Sequence, residues 1–213
     1  MDQFSQSDIN IIKQWLGTGS INLFGLPFSG KDTHSRQLAK MFGASVLGGG
    51  EILRNSQIPQ HVRETLDAGK LVPIDDYVRI VLPDLSHSEF QGQPLILSSV
   101  GRWHGEEPGV VEAAAAANHP IKAVVFLSLS EDVSHARFLV SKEEASRGER
   151  ADDAESKLSQ RYDEFYKKTL PVLDYYRDRD LLIEVDGGPP KAEVSEAILR
   201  ELLARAKKEE SLN

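Results

Sequence analysis

The chain of 213 residues contains no cysteine. That excludes thiolate metal sites, disulfide frameworks and cysteine nucleophiles at the outset. An excess of positive charge is also missing. Lys and Arg number 25 against 33 Asp and Glu, a formal charge of −8, which argues against a nucleic-acid polymer as partner because such polymers ask for an extended basic surface. No apolar run approaches the roughly 20 residues of a membrane span. The N-terminus lacks the layout of a signal peptide, so a cytoplasmic protein with no membrane partner is expected. The six histidines, at 34, 61, 87, 104, 119 and 135, are scattered without metal-ligand spacing. What remains, 40% hydrophobic and 27% charged residues, is ordinary for a soluble globule. The length suits one α/β domain with small inserted lobes.

The stretch that organises the chain is Ile21-Asn-Leu-Phe-Gly25-Leu-Pro-Phe-Ser-Gly30-Lys31-Asp-Thr33. An apolar run reading as a buried strand leads into a G-x-x-x-x-G-K loop, and apolar Leu38, Ala39 and Phe42 then suit a helix packed on the sheet. Two glycines let the backbone curl closely around a ligand. Successive N–H groups then form a concavity that prefers an anion, and the positive end of the following helix reinforces it. Lys31 adds a mobile full charge. The hydroxyl sits one place late, at Thr33, because Asp32 holds the usual Ser/Thr position.

Around this loop the pattern alternates strands and helices. Residues 1–20 read as an extra helix with Ile9, Ile12, Trp15 and Leu16 on one face, Ser7 as a candidate cap and Gly17 to Ser20 as its end. Ala44–Leu47 is a short second strand running into Gly48, Gly49 and Gly50, and Arg54 falls in the second turn of the next helix. A helix over His61–Leu66 and another from Pro73 to about Leu85 precede a third strand, Pro94–Ser98. Ala123–Leu127 is continuously apolar, as an interior parallel strand requires. Leu158, Tyr162, Phe165, Thr169 and Tyr176 keep helical spacing as core residues, with Pro171 bending that helix. Leu181–Val185 is the last strand, followed by a helix to about Arg205 and a polar tail. Such alternation predicts α/β class, with a parallel sheet sandwiched by helices and ligands at the carboxyl ends of the strands.

Gly-Leu-Pro-Phe-Ser-Gly-Lys-Asp-Thr, then Gly-Gly-Glu-Ile-Leu-Arg, Asp-Ala-Gly-Lys-Leu-Val, Gly101-Arg102, Arg150-Ala-Asp-Asp before Arg161, and Val185-Asp-Gly187 occur in order. At this spacing, over residues 21–205, the chain resembles the adenylate kinase family of nucleoside monophosphate kinases in its short-lid form. The resemblance implies a five-stranded parallel sheet of the phosphate-loop nucleoside triphosphate hydrolase type. It implies a core of 21–47, 78–139 and 151–208, a monophosphate-binding insertion at 48–77 and a lid at 140–150. The implied reaction is transfer of the γ-phosphoryl of ATP to AMP or a related (d)NMP, giving two diphosphates, with Mg²⁺ as cofactor and a monomer as the working form. A nucleotide-binding regulatory protein of the same fold, with weak or no transfer, is the alternative.

Carried over residue by residue, the resemblance puts Phe28, Ser29, Gly30, Lys31, Asp32 and Thr33 around the ATP phosphates. Arg137 and Gly188 would lie at the ATP adenine. Gly49, Arg54, Lys70, Leu71, Val72, Gly101, Arg102 and Glu106 would hold the monophosphate. Lys31, Arg102, Arg150 and Arg161 would be catalytic, the last two clamping phosphates from the lid side. The chemistry agrees, because phosphoryl transfer needs placement and charge neutralisation rather than covalent help, and guanidinium groups supply both. Arg150 and Arg161 fall on nearly one face if a single helix spans both.

Several positions depart from the family pattern. Only nine residues separate Val140 from Arg150, and they include no cysteine or histidine for a zinc-bearing lid. Ser141 stands where an arginine is expected, with Lys142 or Arg147 as substitutes. Ser98 replaces an aspartate that helps hold Mg²⁺, and Asp32, beside Thr33, is expected to supply the missing carboxylate or simply to favour its helix N-terminus. Glu106 replaces a base-reading glutamine. A carboxylate only accepts, which suits guanine's two adjacent donors better than adenine's donor and acceptor. AMP remains the family's default acceptor, and a solvent-facing Glu106 is the bland alternative.

Overall fold

The computed structural model describes residues 4–143 and 155–212. Five parallel strands form one sheet in the order β2-β3-β1-β4-β5: β1 Ser20–Gly25, β2 Ser45–Gly48, β3 Leu95–Ser98, β4 Ile121–Ser128 and β5 Leu182–Asp186. The strands β1 and β3 are buried throughout, and their period-2 alternation builds a core on each face. Phe24, Leu95, Leu97, Val124 and Phe126 point to one side, where α6 (Glu107–Ala116) and α9 (Val172–Arg177) add Val110, Ala114, Leu173 and Tyr176. Ile21, Leu23, Ile96, Ala123, Val125 and Leu127 point to the other, against α1 (Gln6–Leu16), α2 (Lys31–Phe42) and α10 (Lys191–Glu210). The α/β fold expected from alternating strands and helices is therefore the fold observed. Among the described residues no helix is long and apolar enough to cross a membrane.

The cap of helix α1 is Ser5, two residues before the expected Ser7. Ser5 and Asp8 form a reciprocal capping box, with the Asp8 N–H donating to Ser5 Oγ at 3.1 Å and the Ser5 N–H donating to Asp8 Oδ2 at 3.1 Å. Its Ile9, Ile12 and Leu16 are buried between α2 and α10. The last helix runs to Glu210, past the expected end at Arg205. Its final turns are tied down: Trp15 Nε1 donates to Glu209 Oε2 at 2.6 Å, and Lys122 Nζ reaches Glu209 Oε1 at 2.8 Å.

Between β2 and β3 lie α3 (Gly49–Asn55), α4 (Gln60–Asp67) and α5 (Ile74–Ile80), then two 3₁₀ turns, Leu82–Ser86 and Ser88–Phe90. The helix expected to run from Pro73 to Leu85 thus ends at Ile80 and tightens, since Pro83 cannot donate into a continuing α ladder. After β4 come α7 (Glu131–Glu143) and α8 (Glu155–Glu164). A π turn over Phe165–Thr169 follows, where the Leu170 N–H donates to Phe165 O at 2.7 Å, and Pro171 opens α9. Where a bend at Pro171 is expected, the chain shows a π turn that ends two residues before that proline.

Candidate active site

The phosphate loop leaves the central strand β1 at Gly25. A Cβ there would lie 2.5 Å from Ser29 Oγ and 3.0 Å from Leu127 O, so only glycine lets the loop fold over the strand end. Phe28 adopts φ +60, a left-handed conformation that costs a bulky residue about 1–2 kcal/mol. Packing holds it: the Phe28 ring meets Phe138 edge-on at 5.3 Å, and the Arg161 guanidinium lies 5.9 Å from its centroid. Ser134 Oγ donates to Pro27 O at 2.6 Å and itself accepts from Tyr162 Oη at 2.8 Å, which fixes the outer side of the loop. Gly30, at φ +91, opens α2, whose first turn has no side-chain cap. Its N–H groups therefore face the loop with their positive end. Ser29 Oγ is buried against Gly25 with no protein partner.

Beside the loop lies a cavity of about 560 Å³. Lys31, Asp32, Arg54, Lys70, Leu71, Val72, Arg102, Glu106 and Arg161 all line it, as do Ser98 and Tyr77. These residues come from the phosphate loop, the insertion between β2 and β3, the loop after β3, and α8. Gly49 and Gly101 stand one layer behind, flanking the Tyr77 hydroxyl. A Cβ on Gly49 would come within 2.3 Å of Tyr77 Oη, and the Gly101 N–H donates to that oxygen at 3.2 Å. Two backbone groups expected to hold a ligand are engaged within the protein. The Leu71 N–H donates to Glu164 Oε2 at 2.9 Å, and Trp103 Nε1 donates to Val72 O at 2.7 Å. Lys168 reaches Glu164 at 2.6 Å and lies 3.9 Å from the Trp103 ring centroid, so α8 and the π turn brace the insertion.

On the other side of the loop, Arg137 on α7 donates to Ser29 O at 3.4 Å, Gly187 O at 2.8 Å and Gly188 O at 3.1 Å. It joins the phosphate loop to the turn after β5, and its charged nitrogens are spent on carbonyls. Ser141 Oγ donates to Phe138 O at 2.7 Å and the Lys142 ammonium lies 5.2 Å from the Phe138 ring centroid. Arg150 and Arg147 fall outside the described residues, as do Asp152 and Asp153, so the one-face relation of Arg150 with Arg161 falls outside them too. His34 is buried on α2 and meets Ser195 Oγ at 3.2 Å. Burial, with Lys191 and Arg137 nearby, holds its ring value down to about 4, so it is a neutral structural group at physiological pH.

The position of Asp32 is informative. Ser98 Oγ, at the end of β3, donates to Asp32 Oδ1 at 2.9 Å. The hydroxyl at the end of β3 and the carboxylate of the phosphate loop thus meet across one small gap, with Thr33 next to Asp32 in the first turn of α2. Among the described residues no group of three or more His, Asp or Glu side chains could hold a metal without help. Mg²⁺ bound mainly by substrate phosphates and water needs only one or two protein oxygens, which this donor set provides.

Sequence reasoning passed over Asn22. It lies mid-strand in β1, wholly buried, with Nδ2 donating to Val100 O at 2.8 Å and Oδ1 accepting the Val100 N–H at 3.3 Å. Asn22 thereby fixes the loop that carries Arg102. The signal was visible as a lone amide inside an apolar run.

The family model for adenylate kinases matches residues 23–181. The chain belongs to the adenylate kinase family. An adenylate kinase of Cyanothece sp. is 29% identical over 181 residues, 83% of this chain and 91% of that protein. One of Clavibacter michiganensis is 30% identical over 188 residues, covering 86% and 92%, and one of Corynebacterium glutamicum 30% identical over 190, covering 87% and 98%. Like other adenylate kinase family members, the chain is a phosphotransferase of the nucleoside monophosphate kinase class.

Proposed function

We propose that this adenylate kinase family member transfers the γ-phosphoryl group of ATP to AMP or a related (d)NMP, giving two nucleoside diphosphates. The observation that carries the reading is the convergence of Lys31, Arg54, Arg102 and Arg161, from four separate segments, on one cavity beside the phosphate loop. A transferring phosphoryl group spreads negative charge over its equatorial oxygens, and cations held at fixed points stabilise that spread without reorganising. The nucleophile is an oxygen of the acceptor's own phosphate, so the protein needs no covalent catalyst.

In this reading Phe28 to Thr33 cradle the ATP phosphates, and Lys31 neutralises the transferring end. Arg137 and the turn at Gly188 border the adenine of ATP. Arg54 and Arg102 receive the acceptor phosphate, and Arg161 bridges the two nucleotides with Arg150. Asp32 and Thr33 would hold Mg²⁺ with Ser98 orienting Asp32, and the ion would offset phosphate charge. Residues 48–77 act as the acceptor insertion and 140–150 as the lid on a core of 21–47, 78–139 and 151–208.

A coupled assay of ADP formation with ATP, Mg²⁺ and a panel of monophosphates tests the reading. Arg102→Ala is expected to lower kcat by about 10³-fold or more, with the melting temperature within a few degrees of the parent. Turnover retained in Arg102→Ala would refute the assignment. Absence of turnover in the parent with every acceptor would favour a regulatory nucleotide-binding role.

A further inference from the structure

Two buried polar groups in the cavity wall bear on which base the acceptor site takes. Glu106 precedes α6 and is 4% exposed. Its Oε2 accepts the Trp103 N–H at 3.0 Å, and the Arg102 backbone also bonds to the carboxylate. Its other oxygen, Oε1, is buried with no partner. Tyr77 Oη accepts the Gly101 N–H, which directs its own proton elsewhere. Gly49 is what lets that hydroxyl stand in the wall, since any Cβ there would collide with it.

Resting on the kinase reading above, we propose that Glu106 and Tyr77 make the acceptor site selective for guanine, so that GMP or dGMP is phosphorylated in preference to AMP. The two lone pairs of Oε1 match the adjacent N1–H and 2-amino donors of guanine, and the Tyr77 hydroxyl matches its O6 acceptor. Adenine would set its N1 lone pair against the carboxylate and could repay only one bond through its 6-amino group. A buried acceptor pair left facing another acceptor is penalised more than a merely absent contact. Uracil offers a single ring N–H to the same oxygen, so it satisfies only part of the wall.

Burial raises the Glu106 carboxyl to about 7. The titratable and charged groups around it are Glu107 beside it in sequence, Arg102 four residues before it, Tyr77 from α5 and Tyr176 from α9. Guanine binding requires the ionised form, whereas a protonated carboxyl can donate to adenine N1. The preference for GMP over AMP therefore widens as pH rises through about 7.

The test compares kcat/KM for GMP, IMP, AMP and UMP at pH 8 in the intact protein and in Glu106→Gln, with ATP saturating. GMP is expected to exceed AMP by about 10- to 100-fold, with IMP between them for want of the 2-amino group. Glu106→Gln, which offers a donor and an acceptor, is expected to shift the ratio toward AMP by at least about tenfold. Preference of the parent for AMP or UMP, or a ratio unmoved by Glu106→Gln, overturns the proposal. If no monophosphate is turned over, the kinase reading fails instead, and calorimetric Kd values for GMP and AMP decide this one. Tighter GMP by about tenfold supports it, and equal or reversed affinity overturns it.

Discussion

Replacing Asn22 by leucine separates the role of a missed residue from that of the visible site. The two side chains share the same branched skeleton and leucine is the bulkier, so no cavity is created, but the leucine can neither donate to Val100 O nor accept from its N–H. Both Val100 groups then stay buried, because Val100, two residues past the end of β3, is fully buried. Each orphaned backbone group costs about 1–3 kcal/mol. The exchange therefore predicts roughly 2–5 kcal/mol of destabilisation, allowing for partial relaxation and a small gain from burying an apolar side chain. In a protein of this length that corresponds to about 5–15 °C in Tm. The loop from Ser98 to Arg102 also loses its anchor, and Arg102 lies two residues beyond Val100.

Function should fail asymmetrically. KM for the acceptor is expected to rise about tenfold or more, because a displacement of about an ångström at a positioning group costs that much. KM for ATP should stay within about twofold, since the phosphate loop keeps its own contacts with Ser134 and Tyr162. Differential scanning calorimetry and initial-rate kinetics read the two effects. A Tm within a degree or two of the parent, or equal losses toward both substrates, would show that Asn22 does not hold the acceptor loop.

Two further outcomes follow from single groups. Asp32→Asn keeps the hydrogen bond from Ser98 in shape but removes the charge. It is expected to weaken Mn²⁺ binding to the ATP complex by about tenfold in paramagnetic titrations, and unchanged Mn²⁺ affinity would assign Asp32 to the helix N-terminus alone. The carboxyl of Glu106 lies at about 7 when folded against an ordinary 4.5. Between those values the native state holds a proton that the unfolded chain has released, so stability falls as pH rises through that window, by at most about 3 kcal/mol. Glu106→Gln should remove that slope, visible in urea midpoints at pH 5 and pH 7.5, and identical slopes in the two proteins would contradict the assigned burial.

What could be read from the chain and what could not divide along contact distance. The phosphate loop, the apolar run at Ala123–Leu127 and the strand-helix alternation are local patterns, and the sheet follows from them. Helix ends were less legible because tertiary contacts decide them. The last turns of α10 look like a polar tail until Trp15 and Lys122 are brought to Glu209 from 194 and 87 residues away. Tyr77 reads as an ordinary aromatic of a short helix, and its place in the cavity wall depends on Gly49 and Gly101, which the chain brings together only on folding. The same holds for Glu164, whose bond to the Leu71 N–H spans 93 residues. A lone polar residue in an apolar run is a signal of the same kind: Asn22 is legible as an anomaly, though its partner is not.

The charge of the chain and the charge of the site have opposite signs, and this bears on what the cavity admits. The protein as a whole carries −8, while Lys31, Arg36, Arg54, Lys70, Arg102 and Arg161 line a cavity whose acids are Asp32, Glu51 and Glu106. At physiological salt the field of either set fades over about 8 Å. A nucleotide that enters the cavity sits within one screening length of several guanidinium groups and is shielded from the rest. Affinity there comes from short bidentate contacts rather than long-range steering. A ligand that binds this cavity only in the folded protein stabilises the fold by mass action.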